Sequence, residues 1–341
     1  MINGDLCHEI LLKKIQPQLS YKKSENFSAW RQELKEKFIS LTGIDKIALN
    51  ACDPEFEVVF KQDKGNYTLY RFEFFSETAE RVPCYLLIPK TGKKKYPVAI
   101  TLQGHVTGFH NSIGVALYPG DENGLDRKSI ALQAVDNGYI ALAIEQRGMG
   151  ERRPTLPERG KSTNCRFASF VAISMGRTLI GERVWDVSRA IDMLSHFSEC
   201  DTDKIFITGN SGGGTTSYYA ACYDERIKIS IPSCAFCPYK NSVLSILHCE
   251  CNQIPRAIGF FEMQDLSALI CPRSLIVVSG EKDEIFPIDG AKEGFETVKK
   301  IYADNKCPQN CKMVITPQNH WWCTDLVWQA INDETKRLGW R

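Results

Sequence analysis

From Val98 onward the chain alternates short apolar runs with longer stretches whose apolar residues recur every three or four positions. The runs Val98–Leu102, Tyr139–Ile144, Ile205–Thr208, Ile227–Ile231, Leu275–Ser279 and Met313–Thr316 predict strands buried on both faces. The stretches near Lys128–Asp136, Glu182–Phe197, Gly212–Cys222, Asp289–Tyr302 and Thr324–Leu338 predict amphipathic helices. Strands alternating with helices imply a parallel sheet covered on both faces. Upstream, Phe56–Phe60, Asn66–Phe75 and Arg81–Ile88 alternate apolar and polar residues, which predicts antiparallel strands. Trp30, Leu34, Phe38 and Leu41 recur at helical spacing, with Ser28 as a cap, so residues 1–54 predict a helical N-terminal extension. Residues 55–341 then form one α/β domain. Gly148–Ile180 and Cys234–Leu269 break the alternation and predict loops or a small cap above the strand ends, where open α/β sheets bind ligands.

Composition narrows the function classes. Of 341 residues, 43% are hydrophobic and 24% charged, as in an ordinary globular protein. A net charge of +1 gives no field to draw the chain to nucleic acid or an anionic membrane. No apolar run is long enough for a membrane span. The first ten residues lack a basic segment followed by an apolar core, so no signal peptide is expected. The fourteen cysteines are therefore expected to be free thiols in a reducing cytoplasm. A homo-oligomer is left open.

The strongest chemical signal is Gly209-Asn210-Ser211-Gly212-Gly213, between a predicted strand and a predicted helix. That context suits a nucleophile elbow, a sharp turn that lifts a serine hydroxyl off the sheet edge. A phosphate loop is disfavoured because no Gly-Lys-Ser/Thr ending follows. A serine nucleophile needs a general base and a group to orient that base. His320, after the last strand, is the candidate base. Asp283, Glu281 and Glu284 are candidate acids, and Asp283 leads because Ile285-Phe286-Pro287 can bury the turn around it. For the oxyanion, the backbone N–H of Gly212 is one candidate donor; the N–H of His105 is the other, with Gly104 allowing close approach. Glu145 and Arg147, at the end of the Tyr139–Ile144 strand, either pair internally or touch substrate, and internal pairing is the favoured reading. Trp321 and Phe236 join them as candidate substrate contacts. Cys234, Cys237, His248, Cys249 and Cys251 have the chemistry of zinc ligands, but a Cys-x-Cys spacing is not that of common zinc motifs. The favoured reading is a packed cysteine-rich loop, with no metal and no cofactor.

These motifs resemble those of the α/β-hydrolase superfamily. More narrowly, Gln103-Gly104-His105, Glu145-Gln146-Arg147-Gly148 and Gly280-Glu281-Lys282-Asp283 are similar to the conspicuous motifs of the dienelactone-hydrolase-like and acetyl xylan esterase-like branch. The resemblance runs from about residue 55 to the C-terminus and favours Asp283 as the acid. Two departures stand out. Dienelactone hydrolases use a cysteine nucleophile where this chain has Ser211, and acetyl xylan esterases commonly place glutamine where this chain has Gly212. The resemblance implies an α/β-hydrolase fold and a serine esterase of short-acyl esters, with an acetylated carbohydrate as the expected partner. An amidase or peptidase with the same triad is the alternative; a non-catalytic scaffold with a metal-binding Cys/His loop is the other.

Overall fold

A computed structural model describes residues 4–22, 26–154 and 164–340. Three helices come first: α1 (Leu6–Lys14), α2 (Phe27–Thr42) and α3 (Ile44–Ala48). Asn26, not Ser28, caps α2, its side chain accepting from the Ala29 N–H. Gly43 ends α2 in the left-handed conformation, its N–H returning to the Ile39 and Ser40 carbonyls. Leu34 and Phe38 on α2 and Ile44 and Ile47 on α3 belong to the same core as the sheet.

The strands β1 (Glu57–Asp63), β2 (Tyr67–Glu77) and β3 (Glu80–Pro89) form an antiparallel meander. Next come β4 (Tyr96–Leu102), the short α4 (Leu125–Lys128), α5 (Ile130–Asp136) and β5 (Ile140–Ile144). They are followed by α6 (Asn164–Ser174), α7 (Leu179–Met193), β6 (Cys200–Asn210), α8 (Gly212–Tyr223) and β7 (Ile227–Ser233). The chain ends with α9 (Ser267–Ile270), β8 (Ser274–Gly280), α10 (Ile288–Asp304), β9 (Cys311–Thr316) and α11 (Thr324–Arg337). The nine strands make one sheet in the order β1-β2-β3-β5-β4-β6-β7-β8-β9. From β5 across to β9 all pairings are parallel.

Strand periodicity divides the core. On β4, Val98, Ile100 and Leu102 face one layer and Ala99 the other. On β5, Ile140, Leu142 and Ile144 face the first layer, and Ala141 and Ala143 the second. The bulky faces meet α7, α8 and α10; the alanines leave room for α5 and α11. This is the α/β-hydrolase arrangement expected from the sequence. The chain moves one way from β4 to β5, then crosses to β6 on the other flank. Loops leaving β4 and β6 therefore part at a topological switch point, which opens a crevice.

The two irregular stretches are built differently from one another. Gly148–Ile180 contains α6, and its residues 155–163 lie outside the described residues. Cys234–Leu269 carries four short 3₁₀ turns and most of α9. No helix among the described residues is long and apolar enough to cross a membrane.

Candidate active site

Ser211 sits between β6 and α8 with φ 56° and ψ −122°, outside the conformations a residue with a Cβ ordinarily adopts. The turn is tight because the end of β4 presses on it. A methyl group on Gly209 would lie 2.4 Å from the Leu102 carbonyl oxygen, and one on Gly213 only 2.1 Å from it. Glycine at these two places lets the elbow close.

The series of side chains is continuous. His320 Nε2 lies 2.7 Å from Ser211 Oγ, and His320 Nδ1 lies 3.0 and 3.1 Å from the two Asp283 carboxylate oxygens. A carboxylate against Nδ1 fixes the proton there and leaves the Nε2 lone pair facing the hydroxyl. Asp283 is buried in the turn after β8, where Oδ1 also accepts from the Ile285 and Phe286 N–H groups at 2.9 and 3.0 Å. Burial pushes its carboxyl up, but the His320 contact and the two N–H groups outweigh it and hold it below the ordinary value. Glu281 and Glu284 are exposed. Phe286 stacks on the His320 ring, with centroids 5.9 Å apart and planes 8° apart.

Asn210, the variable residue of the pentapeptide, was not singled out from the sequence. Its Nδ2 donates to the His320 carbonyl at 3.2 Å and its Oδ1 accepts from Ser233, so it ties the histidine loop to the elbow. Its position beside the serine was the available signal. Phe286 was noted only as something that could bury a turn.

The loop after β4 runs beside the elbow. A methyl on Gly104 would lie 3.0 Å from the Asn210 carbonyl and 3.3 Å from Ser211 Cβ. The ring of His105 packs over Gly212, 2.9 Å from where a methyl there would stand. The N–H of Gly212 heads α8 and has no acceptor within the helix.

Of the candidate substrate contacts, Glu145 and Arg147 take the favoured internal pairing, and Phe236 is corrected. Glu145 is fully buried: it accepts from Gln103 Nε2 at 2.7 Å and from the Phe109 and Glu151 N–H groups at 3.2 Å each. Burial pushes its carboxyl up to about 7, against the pull of those N–H groups. Arg147 is buried among Glu77 at 2.7 Å, Asp186 at 2.8 Å and Glu182 at 3.6 Å. Both residues brace the loops from below. Phe236 is sealed in the core against Tyr218, with ring centroids 5.5 Å apart. Trp321 differs: it is exposed, Arg127 lies over its ring at 5.2 Å, and it lines a cleft. That cleft has a volume of about 280 Å³ and is also lined by Ser211, His320, Ile130 and Ile285. A second cavity of about 490 Å³ adjoins it, with His105 and Val106 bordering both.

The cysteines divide as well. Cys234 lies beside the Asn319 and Trp321 carbonyls, and Cys237 beside that of Pro287. His248 bonds Asn252 at 2.8 Å. Only Cys249 and Cys251 of the sequence cluster come together, and they join His105 and Cys165 instead.

The chain belongs to the Abhydrolase family, whose model matches residues 4–318. The Bacillus subtilis (strain 168) protein YtaP, described as a candidate hydrolase, is 24% identical over 256 residues, 74% of this chain and 82% of its own. A Bacteroides fragilis NCTC 9343 structure described as a candidate acetyl xylan esterase superposes with a TM-score of 0.79 at 17% identity, over 98% of this chain and 95% of that one. A glucuronoyl esterase from Solibacter usitatus gives a TM-score of 0.65 at 16% identity, over 95% of this chain and 98% of that one. At these identities the structural likenesses establish the shared fold.

Proposed function

We propose that the protein is a serine carboxylester hydrolase that removes short acyl groups, with acetylated carbohydrates as its substrate class. One observation carries the reading: hydroxyl, imidazole and carboxylate stand in series at 2.7 and 3.0 Å on a strained elbow. Ser211 Oγ attacks the ester carbonyl while His320 Nε2 takes its proton. Asp283 keeps the other imidazole proton in place and stabilises the imidazolium. The N–H groups of Gly212 and His105 hold the tetrahedral oxyanion, with the positive end of α8 behind them. His320 then hands its proton to the leaving alcohol, and water, activated by the same imidazole, releases the acid. No step requires a metal or a redox cofactor. The small cleft beside Trp321 seats the acyl group. The larger cavity, where Thr107, Arg153, Arg166 and Glu250 stand among Val106, Met149 and Leu247, takes the alcohol. The similarity to esterases named for acetyl xylan and glucuronoyl esters supports the carbohydrate class. The same reading places the protein in a reducing compartment such as the cytoplasm, which keeps cysteine side chains out of disulfides.

The test is labelling with a fluorophosphonate probe alongside hydrolysis of p-nitrophenyl acetate. Wild type labels and turns over; Ser211→Ala does neither. Hydrolysis that survives in Ser211→Ala removes the mechanism.

A further inference from the structure

Three distant segments deliver soft ligands to one point. His105 comes from the loop after β4, Cys165 from the first turn of α6, and Cys249 and Cys251 from a 3₁₀ turn in the Cys234–Leu269 stretch. One ligand atom from each lies within 4.8 Å of every other. A zinc–sulfur bond of about 2.3 Å gives a tetrahedron with edges of about 3.8 Å, so only small side-chain shifts separate this cluster from a closed site. His105 Nε2 and Cys251 Sγ are already 3.1 Å apart. Cys165 and Cys251 are buried and Cys249 is half-buried, whereas His105 is exposed and the cluster borders the larger cavity.

A second observation comes from charge. Arg183 is fully buried beside these sulfurs, with Nη2 donating to Cys165 Sγ at 3.3 Å. It also donates to the Arg147 carbonyl and interacts with Cys251. No carboxylate pairs with it among the described residues, although its neighbours Arg147, Arg152 and Arg177 all have one. A buried cation needs a counter-charge. Three thiolates and a neutral imidazole around a divalent ion carry one net negative charge, which matches the guanidinium beside them.

We propose that His105, Cys165, Cys249 and Cys251 bind a structural zinc ion. Thiolates with one imidazole in a tetrahedral set select zinc over the oxygen-seeking cations, and four protein ligands leave no open position for catalysis. The ion fastens the loop after β4 to α6 and to the Cys234–Leu269 stretch. Binding displaces whatever protons the three cysteines hold, so it weakens as pH falls. Through the His105 ring over Gly212, the ion also fixes the backbone beside Ser211. The site stands whether or not the esterase reading does, because its test is metal content.

The full chain, purified in reducing buffer without added metal, is expected to carry about one zinc per chain by elemental analysis. Cys165→Ser and Cys249→Ser lose that zinc, while Cys7→Ser and Cys237→Ser retain it. Should the ligand variants fail to fold, wild type is stripped with chelator and titrated with Co²⁺ under anaerobic reducing conditions. A thiolate-to-cobalt charge-transfer band with intense visible bands of tetrahedral cobalt is the expected result. Metal-free protein that gives no such band overturns the proposal, as does zinc that stays in Cys165→Ser and Cys249→Ser, or a disulfide among the three cysteines in the freshly purified chain.

Discussion

Asp283 and Glu145 are both buried carboxyls near the elbow, and their surroundings push them in opposite directions. Asp283 is held below its ordinary value, so its contribution to stability is present above its unfolded-state pKa and is lost as pH falls through the lower folded one. Glu145 is raised from 4.5 to about 7, so its contribution is complete below about pH 4.5 and is lost as pH rises through about 7. Denaturant unfolding across pH should therefore show wild type losing about 3 kcal/mol relative to Glu145→Gln between about pH 4 and about pH 8. A flat difference would mean that the carboxyl ionises in the fold as it does in water. For Asp283→Asn the expected loss is in kcat, about ten-thousandfold, because an amide no longer holds the imidazole in the right tautomer. Single-turnover kinetics on p-nitrophenyl acetate, with melting temperature as a control for folding, read this directly. The placement of Asp283 beside His320 was legible from its turn after a strand, together with the family resemblance. The two backbone N–H groups that hold its charge were not, because they depend on how residues 283–286 curl.

At the level of elements, the end of β5 is a brace. Arg147 joins Glu77 at the end of β2 with Asp186 and Glu182 on α7. Arg152 pairs with Asp186 and Glu80 in the same network. Replacing Arg147 with methionine leaves buried carboxylates without their cation, which costs about 3–5 kcal/mol. Arg147→Met should melt well below wild type, yet show little change in KM under conditions where it stays folded. A substrate contact would give the reverse, a raised KM with an unchanged melting temperature. The sequence placed Arg147 in an internal network, but Glu77 and Asp186 are brought to it by strand order and helix packing, which spacing does not encode. The α2 cap illustrates the same limit on a smaller scale. Ser28 fits the cap composition, but the helix starts two residues earlier, where Asn26 can reach the Ala29 N–H.

Across the whole molecule, strand types, the turn at Ser211 and the meeting of Ser211, Asp283 and His320 were legible because each rests on local pattern plus one rule of connection. The Cys/His grouping was not. Sequence proximity suggested Cys234, Cys237 and His248, whereas folding brings Cys165 and His105 to Cys249 and Cys251 across three separate segments. The size of the cleft is also a property of the assembled molecule. Trp322, which lines the cleft beside Trp321, and Trp328 both donate their indole N–H groups to Gln133 on α5, at 2.9 and 2.8 Å. That shared anchor ties the histidine loop and α11 to α5, so the wall has little freedom to retreat before a long acyl chain. The cleft volume of about 280 Å³ is small for a ligand site. Forcing extra methylenes against a fixed wall costs about 1–3 kcal/mol, so kcat/KM should fall by between about fivefold and about 150-fold from p-nitrophenyl acetate to the octanoate. Trp321→Gly, which opens the exposed side of the cleft without touching the Gln133 anchor, should restore much of the octanoate rate at an unchanged melting temperature. Equal rates across acyl lengths in wild type would show that the acyl group lies outside this cleft.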